Sequence, residues 1–313
     1  MKSFAIVAAL VSVALAQSAS PSLIPTGISS GCSSFLTTLN QDSSLSNCTT
    51  PIIQATSAFG AGADTTSTPS SSDVSSALST LCGSSTCDSS TIRSTLADFY
   101  SACAAELTSS LNQDVLRTYD VLYSLAPLSE AICAKDDSGS YCVSSLGSSS
   151  TSPAPSATEL ESVAQNLWVS ASSGSSDSSN TRRDQTPMAV VPNVTTYEAN
   201  NLVFLFLNAN LTEAQLCTPC ARNIITSYIS FESSTPYGPG LGSSQLLGGQ
   251  STLYEAVQSI CGASFLSGAV QAAGGLSGGI LKKSGAAPMA SISNSGIVGT
   301  FVAAAALGVA ALF

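Results

Sequence analysis

The chemistry open to this chain is limited by what it lacks, because none of its 313 residues is histidine. Ser-His-Asp and Cys-His centres, paired-His zinc motifs and the usual acid–base group near neutral pH are therefore excluded. Glycoside hydrolysis by two carboxylates needs no histidine. Five acidic residues could supply such a pair: Asp98, Glu106, Asp114, Asp120 and Glu130. They fall on predicted helix surfaces, and Trp168 is the only tryptophan available to line a sugar cleft, so we predict no catalytic residues.

Ten cysteines form the second reactive group: Cys32, Cys48, Cys82, Cys87, Cys103, Cys133, Cys142, Cys217, Cys220 and Cys261. An even number in an exported chain predicts five disulfides. Without histidine, a zinc site would need four cysteine thiolates, whereas cysteines in the oxidising secretory pathway form disulfides. We therefore predict no metal and no cofactor. Spacing does not determine the pairing. Two local pairs are plausible, Cys82–Cys87 across four residues and Cys133–Cys142 across the turn at 136–139.

Cys217-Thr218-Pro219-Cys220 has the Cys-x-x-Cys spacing of thiol–disulfide oxidoreductases. In such enzymes the motif follows a strand and opens a helix, which lowers the pKa of one thiol. No β-α-β pattern surrounds it here. We therefore interpret the two cysteines as structural, each in a disulfide at the start of a helix.

Residues 1–16 have the layout of a secretory signal peptide, with cleavage expected after Ala16. Residues 297–313 are apolar and uncharged, and they follow a polar spacer and the small residues Ser284, Gly285 and Ala286. This is the pattern of a glycosylphosphatidylinositol (GPI) attachment signal. We expect attachment at Ser284, with Gly285 and Asn294 as alternatives. A retained membrane span is the rival, but it would be short and would lack a basic flank.

The exported protein is acidic. Loss of Lys2 with the signal peptide leaves eight basic residues, because the whole chain has nine, against 19 acidic residues. Binding to nucleic acid requires a basic patch, so we predict no nucleic-acid partner. The expected contacts are with the membrane through the GPI lipid, and with wall polysaccharide or other surface proteins.

Apolar residues recur at helical spacing through both halves of the chain, whereas strand-type alternation is scarce. Helices are predicted over 31–39, 74–83 after Asp73, 91–107 with a cap at Ser89 or Ser90, 112–125 ahead of Pro127, 220–231, and from Ser251 to Gly262. Thr158-x-x-Glu161 and Thr212-x-x-Gln215 are predicted capping boxes. The apolar run 202–207 fits a helix or a strand. The prediction is an all-α, disulfide-stapled bundle of short helices.

The predicted organisation places a Cys-rich helical part at 17–147, a low-complexity linker at 148–191 and a second helical part at 192–262. A Gly/Ser stalk follows at 263–284, and the GPI propeptide is 285–313. The linker is a Ser/Pro-rich insertion expected to be disordered. Seven cysteines precede it and three follow. Because both numbers are odd, full pairing within the chain requires at least one disulfide between the two parts. We therefore predict one domain rather than two.

Two kinds of processing are predicted in the exported chain. Asn47, Asn193 and Asn210 each begin an Asn-x-Thr sequon for N-glycosylation. Asn47 is the least favourable, since Cys48 follows it. Arg182-Arg183 is a dibasic pair in the linker, where a kexin-type protease could cut; an uncut pair is an equal alternative.

Several segments carry a resemblance to a known family: SGCSSFLTTLNQDSSLSNCTTPI, LADFYSACAAEL, AICAKDDSGSYC, CTPCARNI and AVQSICGASF. They resemble a fungal group of secreted, Cys-rich helical domains of unknown function, many with a GPI signal. The resemblance covers 30–146 and 200–266 and implies no catalytic residues. The insertion at 148–192 is longer and richer in Ser than that group's pattern. The chain lacks the Cys-x-Cys of haem-binding eight-cysteine domains and the adjacent cysteines of hydrophobins.

Together these features predict a non-catalytic, GPI-anchored glycoprotein on the extracellular face of a fungal plasma membrane, with transfer to the cell wall as a further option. Its expected role is structural or interactive. The alternative is a wall-glycan-remodelling enzyme that uses a carboxylate pair.

Overall fold

The computed structural model describes residues 24–56, 71–83, 87–145, 159, 162–163, 165–170 and 190–266. The protein is mostly helical, as predicted. The α-helices are Ser30–Leu39 (α1), Ser43–Thr56 (α2), Ser71–Gly83 (α3), Ser89–Ala102 (α4), Gln113–Cys133 (α5), Cys142–Ser145 (α6), Val194–Ala199 (α7), Glu213–Leu216 (α8), Pro219–Ser234 (α9) and Gln250–Cys261 (α10). A π-helical turn spans Ala105–Ser109, and 3₁₀ turns span Leu202–Phe204 and Leu241–Ser243.

Helix α5 is the centre of the bundle. It packs against α9 most extensively and also against α3 and α4. The sequence predicted that this helix would end before Pro127, but it continues to Cys133 with Pro127 inside it. An interior proline costs about 3 kcal/mol. The last turns bury Leu128, Ala131 and Ile132, and that burial offsets the cost.

The helix starts were predicted to within about three residues. Asp88, rather than Ser89 or Ser90, caps α4, because its carboxylate accepts from the Thr91 amide. Helix α10 begins at Gln250 after Gly249, one residue before the expected cap at Ser251. The capping box of Thr212 and Gln215 is present, whereas Thr158 and Glu161 lie outside the described residues.

One hydrophobic core runs through both sequence halves. Its centre holds a chain of aromatic contacts with ring centroids 5.0–5.4 Å apart: Phe35–Phe99, Phe99–Tyr119, Tyr119–Tyr237, Tyr237–Tyr123 and Tyr123–Phe231. Most of these pairs meet edge to face, the arrangement that the ring quadrupole favours. The chain therefore links α1, α4, α5 and α9 with the segment after α9.

The apolar run at 202–207 forms neither a long helix nor a strand. It makes a short 3₁₀ turn and then reverses, with positive φ at Asn201, Leu205 and Phe206 (47°, 52° and 69°). All six residues of the run are buried. The side-chain amide of Asn201 donates to the Leu207 carbonyl at 3.0 Å and stabilises this change of chain direction. Such a left-handed turn is uncommon for leucine and phenylalanine, which explains why periodicity did not predict it.

A two-stranded antiparallel ladder joins residues on either side of positions 171–189. Strand β1 is Trp168–Ser170, β2 is Val190–Pro192, and Val169 pairs with Val191. Val163 and Leu167 ahead of β1 are buried. Residues 162–170, which fall in the predicted linker, therefore include part of the packed structure.

The disulfides are long-range, so both predicted local pairs are wrong. Cys82 bonds Cys133 and Cys142 bonds Cys220; Cys32–Cys103 and Cys217–Cys261 are the other two bonds whose partners are described. Cys87 is also disulfide-bonded, and no described cysteine is free. The local pairs fail because the ends of α3 and α5 lie side by side, and so do the starts of α6 and α9.

The predicted disulfide between the two halves is Cys142–Cys220. It is the only one, because Cys217 and Cys261 bond each other and no further cysteine follows the linker. A single bond therefore joins the two parts covalently, besides the chain itself.

Candidate functional site

The structure divides the five carboxylates proposed from the sequence between the surface and the core. Asp98, Asp114 and Glu130 are exposed, whereas Glu106 and Asp120 are buried. Asp114 forms an ion pair with Arg117 one helical turn away. Among the described residues no hydrogen bond joins any two of the five.

The geometry of α5 separates its three acids. Asp114 and Asp120 lie about 9 Å apart along the axis and about 120° apart around it, and Glu130 lies about 15 Å beyond Asp120. The carboxyl groups of a retaining glycosidase are about 5 Å apart, and those of an inverting enzyme about 6.5–9.5 Å apart on one cleft. Asp114 points outward and Asp120 inward, so this helix offers no such pair.

Glu106 has a different role at the π-helical turn. Its Oε1 accepts from the Ser29 backbone amide, 77 residues away in sequence, and so ties the start of α1 to the turn. This hydrogen bond lowers the pKa of Glu106. Its Oε2 is buried and has no hydrogen-bond partner among the described residues. The Ser29 hydroxyl meanwhile accepts from the Cys32 amide as the α1 cap.

Asp120 is fully buried at the centre of a polar network. It faces the segment between α9 and α10, where its Oδ1 accepts from the Tyr237 hydroxyl. Its Oδ2 accepts from the backbone amides of Gln245 at 2.7 Å and Leu246 at 3.1 Å. Burial raises the pKa of Asp120 to about 6, although these hydrogen bonds oppose the rise. The carboxylate therefore fastens a loop to the core, and no part of it is exposed to a substrate.

A further acid that the sequence patterns did not single out, Glu232 on α9, is partly buried. Its Oε1 accepts from the side-chain amide of Gln250, the first residue of α10. Burial raises the pKa of Glu232 to about 7. A signal was present in the sequence: Glu232 lies four residues after Tyr228 and seven after Ile225, so it falls on the apolar face of its helix.

Three further buried polar atoms lack a partner within the described residues. They are Ser124 Oγ, Gln250 Oε1 and Tyr254 Oη. Tyr254 lies close enough to Gln250 and Glu232 that both affect its pKa, which burial raises. Glu232, Gln250 and Tyr254 thus form a polar cluster between α9 and α10.

The Cys-x-Pro-Cys motif does not form a redox dithiol. Cys217 bonds Cys261 and Cys220 bonds Cys142. Pro219 is the first residue of α9, and the Thr218 hydroxyl caps it by accepting from the Ala221 amide at 3.1 Å. The two cysteines anchor a helix start, as predicted.

The sequons differ in how the fold presents them. Asn47 and Asn210 are exposed, and Asn193 is partly buried. The hydroxyl-bearing residue of the first sequon, Thr49, is only 1% exposed, and its hydroxyl donates to the Leu45 carbonyl at 2.9 Å. Ala16, Arg182, Arg183 and Ser284 lie outside the described residues, so cleavage and lipid attachment stay predictions.

Neither a metal-ligand cluster nor a bilayer-spanning helix is found in the part of the chain that the structure describes. No protein-family model, curated protein or solved structure matches the chain.

Proposed function

We propose that the protein is a GPI-anchored glycoprotein of the extracellular face of the plasma membrane, with a structural or interaction role there or after transfer to the cell wall. The observation that carries the proposal is the disulfide pattern: no described cysteine is free, and the four bonds whose partners are described span 44–78 residues. Such frameworks are typical of exported proteins.

The polar groups of the fold support a non-catalytic role. The two carboxylates that burial perturbs most, Asp120 and Glu232, are used to hold the segment between α9 and α10. The exposed sequon residues Asn47 and Asn210 support glycosylation. The resemblance to a fungal surface group and the acidic composition favour wall polysaccharide or other surface proteins as partners, and no nucleic acid.

The lipid anchor is tested by digesting membranes that contain the full chain with phosphatidylinositol-specific phospholipase C. We expect release of the protein without the residues after Ser284. A matched variant that carries a charged residue within 297–313, such as Ala305→Asp, should fail to acquire the lipid. Retention of the wild-type protein after an active digest, with Phe313 detectable by mass spectrometry, contradicts the anchor.

The structural role is tested separately with the purified protein on a panel of wall glycans. Binding without turnover supports the proposal. Turnover that disappears in Asp98→Asn, Asp114→Asn or Glu130→Gln, the acids that solvent can reach, would instead establish the glycan-remodelling enzyme.

A further inference from the structure

The hydroxyl groups of three buried tyrosines differ in the acceptor to which they donate. The hydroxyls of Tyr123 and Tyr228 donate to backbone carbonyls. The Tyr237 hydroxyl instead donates to the Asp120 carboxylate. A carboxylate can take up a proton, whereas a backbone carbonyl only accepts the hydrogen bond. Of these three tyrosines, Tyr237 is therefore the one whose acceptor can also receive its phenolic proton.

The pair of Tyr237 and Asp120 is shielded from water. Asp120 is 0% exposed and Tyr237 is 9% exposed. The second carboxylate oxygen of Asp120 accepts from the backbone amides of Gln245 and Leu246. Asp120 takes part in none of the ion pairs that the described residues form. A proton released by Tyr237 therefore has an acceptor in contact with it and little access to bulk water.

Removal of one electron from this pair would neutralise a buried charge. Before the reaction the site carries the negative charge of the Asp120 carboxylate. If the phenolic proton moves to Asp120 as the electron leaves Tyr237, a neutral acid and a neutral phenoxyl radical remain. Burial favours neutral forms over charged ones, and it raises the pKa of Asp120 to about 6 for that reason. The same oxidation at Tyr123 or Tyr228 would leave a buried radical cation, because a carbonyl takes up no proton.

A series of aromatic rings connects Tyr237 with the surface. Its ring centroid lies 5.4 Å from that of Tyr119 and 5.0 Å from that of Tyr123. Tyr119 lies beside Tyr100, which is partly exposed: a Cβ on Gly238 would come within 2.7 Å of the Tyr100 ring and 3.1 Å of the Tyr119 hydroxyl. Because electron transfer slows steeply with distance, neighbouring rings provide a route by which a surface oxidant can act on Tyr237 without touching it.

We propose that Tyr237 and Asp120 form a redox-active pair that stores one oxidising equivalent in the core of the protein. A one-electron oxidant of the radical class, such as a peroxyl radical, takes an electron at the surface, and the vacancy passes along the tyrosine rings to Tyr237. The phenolic O–H bond of Tyr237 breaks, its proton binds Asp120, and a neutral phenoxyl radical remains. The peroxyl radical becomes a hydroperoxide anion, which takes a proton from water. The inference is independent of the anchoring and surface role proposed above.

Photochemical oxidation of the purified protein tests the proposal. Light and persulfate convert tris(bipyridine)ruthenium(II) to its ruthenium(III) form, a one-electron oxidant of phenols, and electron paramagnetic resonance follows the radicals. At about pH 8 Asp120 is ionised, since its pKa is about 6. We expect a tyrosyl radical that outlives those on exposed tyrosines, because the core excludes water and reductants. Circular dichroism checks that each variant is folded.

Three variants identify the site of the radical. Tyr237→Phe keeps the ring and removes the hydroxyl, so the long-lived radical should be lost. Tyr228→Phe is the matched control, because it removes another buried hydroxyl whose acceptor is a carbonyl, and the radical should remain. Asp120→Asn leaves the phenol without a proton acceptor, and the long-lived signal should again be lost. A long-lived radical in Tyr237→Phe or in Asp120→Asn overturns the proposal, and so does its loss in Tyr228→Phe or its absence from wild type.

The groups that face Asp120 are phenols. They are Tyr119 on the same helix, Tyr237 in the segment between α9 and α10 and, beyond Tyr119, Tyr100 on α4. An ordinary phenol ionises near about pH 10, and burial raises the pKa of Tyr119 to about 12. Glu232 on α9 has a pKa of about 7, but its described interactions do not include Asp120. A change of pH between about 4.5 and about 8 therefore titrates Asp120 without titrating the groups around it.

This pH change gives a second test that needs no substitution at the pair. At about pH 4.5 Asp120 already carries a proton, since its pKa is about 6, so the long-lived radical of wild type should be lost. Glu232→Gln removes the other carboxyl group that titrates in this range and should show the same loss. An equal yield of the long-lived radical at the two pH values contradicts proton transfer to Asp120, and a pH dependence that disappears in Glu232→Gln assigns it to the wrong acid.

Discussion

Replacing Asp120 by Asn should destabilise the protein more in acid than near neutrality. The substitution preserves the shape of the network: the amide oxygen can accept from the Gln245 and Leu246 backbone, and the new NH₂ can donate to the Tyr237 hydroxyl. What it removes is a titrating group that is fully buried. The comparison with wild type at two pH values therefore isolates the free energy of burying the charge.

The magnitude follows from the pKa of Asp120, which burial raises from 3.8 to about 6. A raised carboxyl pKa means that the folded state binds the proton more tightly than the unfolded state. The protonated Asp120 carboxyl group therefore contributes fully to stability below about pH 3.8, and this contribution is lost as the pH rises through about 6. As Asp120 ionises, the unfolding free energy of wild type should fall by about 1 kcal/mol by about pH 4.5 and by about 3 kcal/mol by about pH 7.5. The Asp120→Asn variant has no carboxyl group at this position and should show neither decrease. The cost of the substitution should accordingly be about 2 kcal/mol smaller at the higher pH.

Urea denaturation followed by far-UV circular dichroism measures both proteins at both pH values. Asp98→Asn, an exposed position on α4, is the matched control and should change stability by less than about 0.5 kcal/mol. A cost of Asp120→Asn that is equal at the two pH values, or larger near neutrality, would refute the reasoning.

Three further predictions follow from single contacts. A protease site introduced within 171–189 should yield, after cutting, one band on a non-reducing gel and two on a reducing gel. In the Cys142→Ala/Cys220→Ala variant two bands should appear without reductant, and one band there would contradict the assigned pairing. Tyr228→Phe, which removes the hydroxyl donor to the Val203 carbonyl, should cost about 1–3 kcal/mol in urea denaturation; no loss would mean that water replaces the donor. Glycopeptide mapping should find Asn47 less occupied than Asn210, because folding buries the Thr49 hydroxyl; equal occupancy would mean that modification precedes folding of α2.

The environment of the candidate carboxylates could be predicted only in part from the sequence. Glu106 and Asp120 were recognised as acids but were placed on helix surfaces, whereas both are buried. The contacts that bury Asp120 come from residues more than 100 positions later in the chain. No local pattern around Asp120 encodes them. Glu232 could have been found from its place on an apolar helix face, but its partner Gln250 could not.

The sequence by itself determined the helical character, the approximate helix starts and the need for a disulfide between the halves. These depend on apolar periodicity, on capping side chains and on the parity of the cysteine count, which are local or countable properties. Only the tertiary structure decided that Cys82 bonds Cys133 instead of Cys87, and that α5 continues through Pro127. Both depend on which distant surfaces pack together, since burial against other helices supplies free energy that short-range preferences do not contain.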